Sequence, residues 1–204
     1  MKYSIAVLLL FSVFGSAQCL GPKAAIGIKP GLNFTTFNPD DGGGNLAGAG
    51  FNIGLGFGVD AGSFGLEFTP SYRSTSYRRT DENLNTTISW HYSNFYLPVR
   101  GRLIANLQKV APYLGLGVAF DLQQSGYFVL QVGESSFRTN IPSDDLENDL
   151  FISVVLGSDI KSKSFKLAPE LAFDYNLTAD NDETANRSET NYDITFSVGF
   201  YYTP

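Results

Sequence analysis

Residues 51–59 read Phe-Asn-Ile-Gly-Leu-Gly-Phe-Gly-Val, with a large apolar residue at every odd position and Asn or Gly at every even one. Side chains alternate between the two faces of a strand, so this segment has one large apolar face and one nearly bare face. A half-buried soluble strand sets its apolar face on a core and a polar face in water. Here the second face is small, and segments with the same alternation carry Gly, Ala and scattered charge there. This combination predicts a transmembrane β-strand, with its apolar face in lipid and its small face in a narrow lumen.

Bulk properties agree with that reading. The chain has 204 residues, 14% aromatic and only 17% charged, with a mean hydropathy of −0.04. No internal apolar run is long enough for a spanning helix, which needs about 20 residues. The net charge of −6 argues against a nucleic-acid partner, which requires a basic face. A single cysteine excludes an intrachain disulfide framework and a Cys-rich zinc site.

The same alternation predicts eight strands, over residues 24–34, 51–59, 64–74, 87–104, 112–122, 149–160, 165–177 and 192–202. In the fourth, Ile88, Trp90 and Tyr92 share a parity that Phe95, Leu97, Val99 and Leu103 do not. If both sets face outward, a β-bulge is required near Ser93 and Asn94. Residues 127–132 read as an extension of the fifth strand. Connections alternate long and short, the short ones at residues 60–63, 105–109 and 161–164. Short turns on one side and long loops on the other are the habit of outer-membrane barrels. Trp90, Tyr92, Tyr175, Tyr192, Tyr201 and Tyr202 fall near strand ends and read as interfacial girdles. The fold class expected is all-β, an eight-stranded antiparallel up-and-down transmembrane β-barrel.

Three short segments carry a resemblance: Ile26-Gly-Ile-Lys-Pro-Gly-Leu-Asn-Phe34, Phe95-Tyr-Leu-Pro-Val99 and Pro112-Tyr-Leu-Gly-Leu-Gly117. With them the chain resembles the PorT-like outer-membrane β-barrels of Bacteroidota. The resemblance implies a barrel in the cell outer membrane, surrounded by outer-membrane lipid, and no particular chemistry or cofactor.

The inward face is expected to hold Lys29, Glu67, Arg73, Arg100, Arg102, Asp121, Asp159, Lys166, Glu170, Asp174 and Asp193. Buried charges of both signs must pair, so these read as a lumenal polar network, with Arg100 and Arg102 meeting acids such as Glu67, Asp121 or Glu170. Eight strands leave an interior that side chains can fill. The glycines at 54, 56 and 58 then leave room for long side chains such as Arg100 and Arg102. Acidic residues Asp40, Asp41, Asp144, Asp145, Glu147, Asp180, Asp182 and Glu183 fall in the long loops, with no calcium-loop spacing. His91 shares a face with Ser89 and Ser93, but no Gly-x-Ser-x-Gly turn exposes a nucleophile. No catalytic, cofactor-binding or metal site is expected. The function expected is a structural or partner-binding outer-membrane barrel, its protein partner unknown and its lumen plugged. The alternatives are a narrow pore for small solutes and a soluble lipocalin-like ligand-binding barrel with inverted faces.

Residues 1–17 read as a secretory signal: Lys2, an apolar run over residues 5–14, then the small residues Gly15, Ser16 and Ala17. The barrel domain then occupies residues 18–204. Gln18, rather than a small residue, precedes Cys19, which disfavours lipidation. Mass spectrometry of the mature chain is expected to find Gln18 first and Cys19 unmodified. A diacylglyceryl group on Cys19 would move the cleavage site.

Overall fold

The computed structural model describes residues 23–38, 46–81, 85–105, 109–142, 146, 148–178 and 189–204. The expected leader, Cys19 and the eight acidic loop residues lie outside them. The described residues form ten strands: β1 (Lys23–Asn38), β2 (Leu46–Ala61), β3 (Phe64–Phe68), β4 (Ser71–Asp81), β5 (Thr86–Ile104), β6 (Val110–Val132), β7 (Ser135–Asn140), β8 (Asn148–Lys161), β9 (Phe165–Asn176) and β10 (Glu189–Tyr202). β3 and β4 both lie between β2 and β5, so they are two halves of one stave. β5 continues to β6, then β8, β9 and β10, and β10 pairs back onto β1. β7 is a hairpin partner of the far half of β6. The result is an eight-stave antiparallel barrel. Closure leaves no unpaired sheet edge around the ring.

The two faces are chemically inverted relative to a water-soluble barrel. Ile28, Leu55, Phe95, Leu116, Phe173 and Phe196 stand on the outside, each about half exposed. Lys29, Asn33, Glu67, Arg73, Asp174 and Asp193 are buried inside. The lipocalin-like alternative needs large apolar residues within and polar ones without, so these faces do not fit it.

Four local expectations need correction. The third strand is interrupted at Thr69 and Pro70 and runs on to Asp81. Pro70 has no N–H to give, but its carbonyl accepts from Leu55 N at 2.9 Å, and Thr69 N donates to Pro98 O at 3.3 Å, so the stave stays attached on both sides. The bulge is on β6, not β5. Pairing with β4 is continuous along β5, whereas the β5–β6 register slips between Ser93 and Asn94, leaving Gln124 as the extra residue. β5 therefore keeps one parity. Ile88, Trp90 and Tyr92 lie on the same side as Tyr96 and Arg100, not on the lipid-facing girdle. Tyr201 also leaves the girdle; it is 2% exposed, inside the barrel. β6 does extend through residues 127–132, and Gly133, at φ 59°, turns it back into β7.

Of the three glycines expected to make room for arginines, Gly56 makes room for a tyrosine ring instead, and Gly54 faces Ser71 and Thr69. A Cβ at Gly56 would strike the Tyr201 ring, and one at Gly157 would strike Tyr113. At Gly27 the obstacle is the backbone carbonyl of Phe200, across the closing β1–β10 pair. At Gly58 the nearest atoms are 3.9 Å away. Gly27→Ala is therefore expected to lose about 1–3 kcal/mol of stability, the usual cost of overpacking. Gly58→Ala is expected to stay within about 0.5 kcal/mol of the parent. Urea unfolding in lipid vesicles, followed by the folded band on unheated gels, measures both, and equal losses would refute this assignment of the space.

Candidate functional site: the closed lumen

Alternation on eight staves points one row of side chains from each toward the axis. Because the staves tilt, residues far apart in sequence meet there in layers. In the layer nearest the short turns, Arg102 on β5 reaches Asp60 at 2.6 Å and Glu67 at 3.3 Å, and lies 3.6 Å from Asp159. Lys166 on β9 stands 3.1 Å from Asp159 and 3.7 Å from Asp60. Two aromatic faces support these cations: Tyr113 lies 4.6 Å from the Arg102 guanidinium and Tyr201 lies 4.8 Å from the Lys166 ammonium.

In the next layer Lys29 on β1 bridges Glu67, at 2.7 Å, and Glu170. The Tyr113 hydroxyl also donates to Glu170, and Thr69 donates to Glu67 at 3.0 Å. Further along, Arg100 Nε donates to Ser153 Oγ at 2.9 Å, and its guanidinium lies 3.6 Å from Asp174. Ser153 and Tyr96 both donate to Asp174, each at 2.5 Å. Arg73 pairs with Asp193 and rests 3.8 Å from the centre of the Tyr96 ring. Toward the long loops the layer is mostly neutral. Asn33 donates to Thr75 at 2.7 Å, Thr35 to Tyr77 at 2.8 Å, and Asn94 to Asp121 at 2.9 Å.

All eleven charged residues expected on the inward face are buried there. Five are cations and six are carboxylates, so the interior nearly balances its own charge. Arg102 takes Glu67, and Arg100 takes Asp174, with Glu170 at 4.0 Å. Asp121 pairs with neither arginine, because it sits nearer the long loops, beside Asn94. The sequence reading does not assign Tyr113, Ser153 or Asp60 to this network and sets Tyr201 on the girdle, whereas Tyr96 shares the inward parity of Arg100. Strand parity places each of these inside, but tyrosine is as common on lipid-facing girdles, and Asp60 closes a turn. The cavity between Lys29, Asn52, Arg73, Tyr96, Arg100 and Ser197 measures about 20 Å³. That is room for roughly one water molecule, not for a file of them.

His91 lies away from the lumen. Its ring stacks on Tyr127 at 4.6 Å, and Ser93 Oγ accepts from the Tyr72 hydroxyl at 2.8 Å. Among the described residues no hydrogen bond joins His91 to Ser89 or Ser93. No group of three metal-ligating side chains converges among them either.

A model of the family described as outer membrane protein beta-barrel domain matches residues 4–203. No curated protein sequence matches the chain. Among solved structures it is similar to neisserial surface protein A, with 13% identity, a TM-score of 0.48, and 88% of this chain and 99% of that chain covered. It is also similar to Ail, the attachment invasion locus protein of Yersinia pestis, solved with the heparin analogue sucrose octasulfate. There the identity is 12% and the TM-score 0.45, over 89% of this chain and 99% of that one. The N-terminal β-barrel domain of Pseudomonas aeruginosa OprF matches at 12% identity and a TM-score of 0.40, over 88% and 98% of the two chains.

Lys29 stands between two carboxylates, each of which has one arginine besides it within 4.0 Å, Arg102 for Glu67 and Arg100 for Glu170. Lys29→Met is expected to strand them and cost about 3–5 kcal/mol, as breaking a buried ion pair does. Adding Glu67→Gln should restore part of that loss. Equilibrium urea titration in vesicles reads both, and a neutral Lys29→Met would show that the ammonium is not needed to hold the carboxylates.

Proposed function

The chain belongs to the outer membrane protein beta-barrel domain family, and on that premise we propose that it is a closed barrel that works by contact at its outer end. The observation that carries this reading is the filled lumen. Cross-barrel ion pairs stand across the axis: the cavity at the level of Arg73 and Arg100 is about 20 Å³, while a wider one of about 320 Å³ lies at the short-turn end, beside Asp60 and Lys166. A solute pathway would need a continuous wet channel, and every layer of the network stands across it.

The outer end offers a surface in place of a channel. β5 and β6 continue beyond the apolar belt and carry β7 with them, while the far half of β4 borders β5. This raised sheet, with the long loops, is the element we assign to partner binding. The resemblance of residues 26–34, 95–99 and 112–117 to PorT-like barrels supports a place in the outer membrane, with the leader removed on export. Nothing in the arrangement of His91, Ser89 and Ser93 supports hydrolysis, so the role assigned is non-enzymatic.

The test is electrical. In a planar bilayer the purified barrel is expected to give no unitary current steps at ±100 mV. Well-resolved steps that disappear on heat denaturation would instead support the narrow-pore reading.

A further inference from the structure

We propose that the outward face of the raised sheet binds the phosphorylated saccharide headgroup of an outer-leaflet glycolipid, through Arg78 and Arg138. The argument begins with register. The last apolar row on this side is Tyr72–Phe95–Leu122. Beyond it on the same face come Ser74–Ser93–Ser125, then Ser76–His91–Tyr127–Asn140, then Arg78–Ser89–Val129–Arg138. These three rows contain no carboxylate. Both arginines are exposed, and neither has an ion pair among the described residues.

Arg138 is held in place without being neutralised. Its guanidinium lies 3.7 Å from the centre of the Tyr127 ring, and Tyr127 stacks in turn on His91. Stacking on an aromatic face leaves the N–H fork free for an oxyanion, and a fork already ordered loses less entropy on binding. Arg78 is in the same row three strands away, or about 14 Å at the ordinary strand spacing. Two cations at that separation, one of them held by an aromatic ring, suit two anionic groups on one rigid headgroup better than one small anion.

Height selects the lipid class. Arg78 lies six residues past the belt residue Tyr72 on β4, roughly 20 Å along the strand, or about 15 Å in height at a barrel tilt of about 40°. The polar zone of a phospholipid leaflet is only about 5–8 Å deep. An ordinary phosphate headgroup stops short of the Arg78 guanidinium, even when the side chain bends toward the membrane. A headgroup extended by phosphorylated sugars reaches it. The inference depends on the spanning fold and the register, and not on the closed lumen or on a protein partner.

The experiment uses the full mature barrel in detergent and native mass spectrometry. The probes are a glycolipid with a phosphorylated inner saccharide core, the same glycolipid after dephosphorylation, phosphatidylethanolamine and inorganic pyrophosphate. The expected result is at least tenfold greater retention of the phosphorylated glycolipid than of the other two lipids. Arg78→Ala with Arg138→Ala should abolish that preference, with the folded band on unheated gels unchanged. Tyr127→Ala should weaken retention as Arg138→Ala does, whereas Tyr127→Phe, which keeps the stacking face, should not. Undiminished retention by the double alanine variant, or equal retention of the dephosphorylated lipid, overturns the proposal. Pyrophosphate binding as tightly as the glycolipid would also overturn it, by showing a site for free anions.

Discussion

The hydrogen bonds between β1 and β10 are the constraint on which the rest of this molecule depends. Inside a bilayer each backbone N–H and C=O must find its partner in protein, and a sheet achieves this only by closing. With eight staves the closed ring is narrow. Whatever occupies its interior has to fit among tilted backbones. The tyrosine rings set over glycines at Gly56 and Gly157 are one answer. They fill volume where a second side chain would collide, and Tyr113 brings its hydroxyl to a carboxylate from that position.

Charge inside the ring follows from the same geometry. The exterior must be apolar to meet lipid, so polar side chains that hold the structure together have only the interior to use. Burying a charge costs several kcal/mol unless it is paired. The layers around Lys29, Arg100 and Arg102 meet that condition by sharing: one cation serves two carboxylates, and one carboxylate serves a cation and a hydroxyl. A single substitution is then felt by several partners, which makes the interior a unit rather than a set of independent pairs.

Much of this was legible in the chain before the fold was known. Strict alternation over residues 51–59 and the long-short order of connections lead to eight staves, and parity alone assigns Arg73, Glu170 and Asp174 to the inside. The failures have physical causes. Trp90 and Tyr92 look lipid-facing only if all of β5 lies in lipid, yet its first half stands beyond the belt, where the same apolar residues turn toward the axis. The apparent parity change along residues 88–103 implies a bulge in that strand, but β5 keeps one parity and the extra residue opposite Ser93 and Asn94 is on β6. Tyr201 and Tyr202 are identical in composition and opposite in environment. Partner choice in the lumen was the least legible, because the stagger of the staves brings together residues as distant as Arg73 and Asp193, 120 positions apart.

That separation bears on how the barrel is made and how long it lasts. The β1–β10 pairing joins residues such as Ile26 and Tyr202, the two ends of the described chain. Contacts of such long range form late in folding, after most of the loop entropy has been lost. The ion pairs that cross the lumen, Lys29 with Glu170 and Arg73 with Asp193, have their geometry only once the ring has shut. Interactions that are absent from the transition state do little to speed folding and much to slow unfolding. The interior network therefore acts as a latch on the lifetime of the closed barrel: assembly waits for the last strand, and opening requires the charged layers to come apart together.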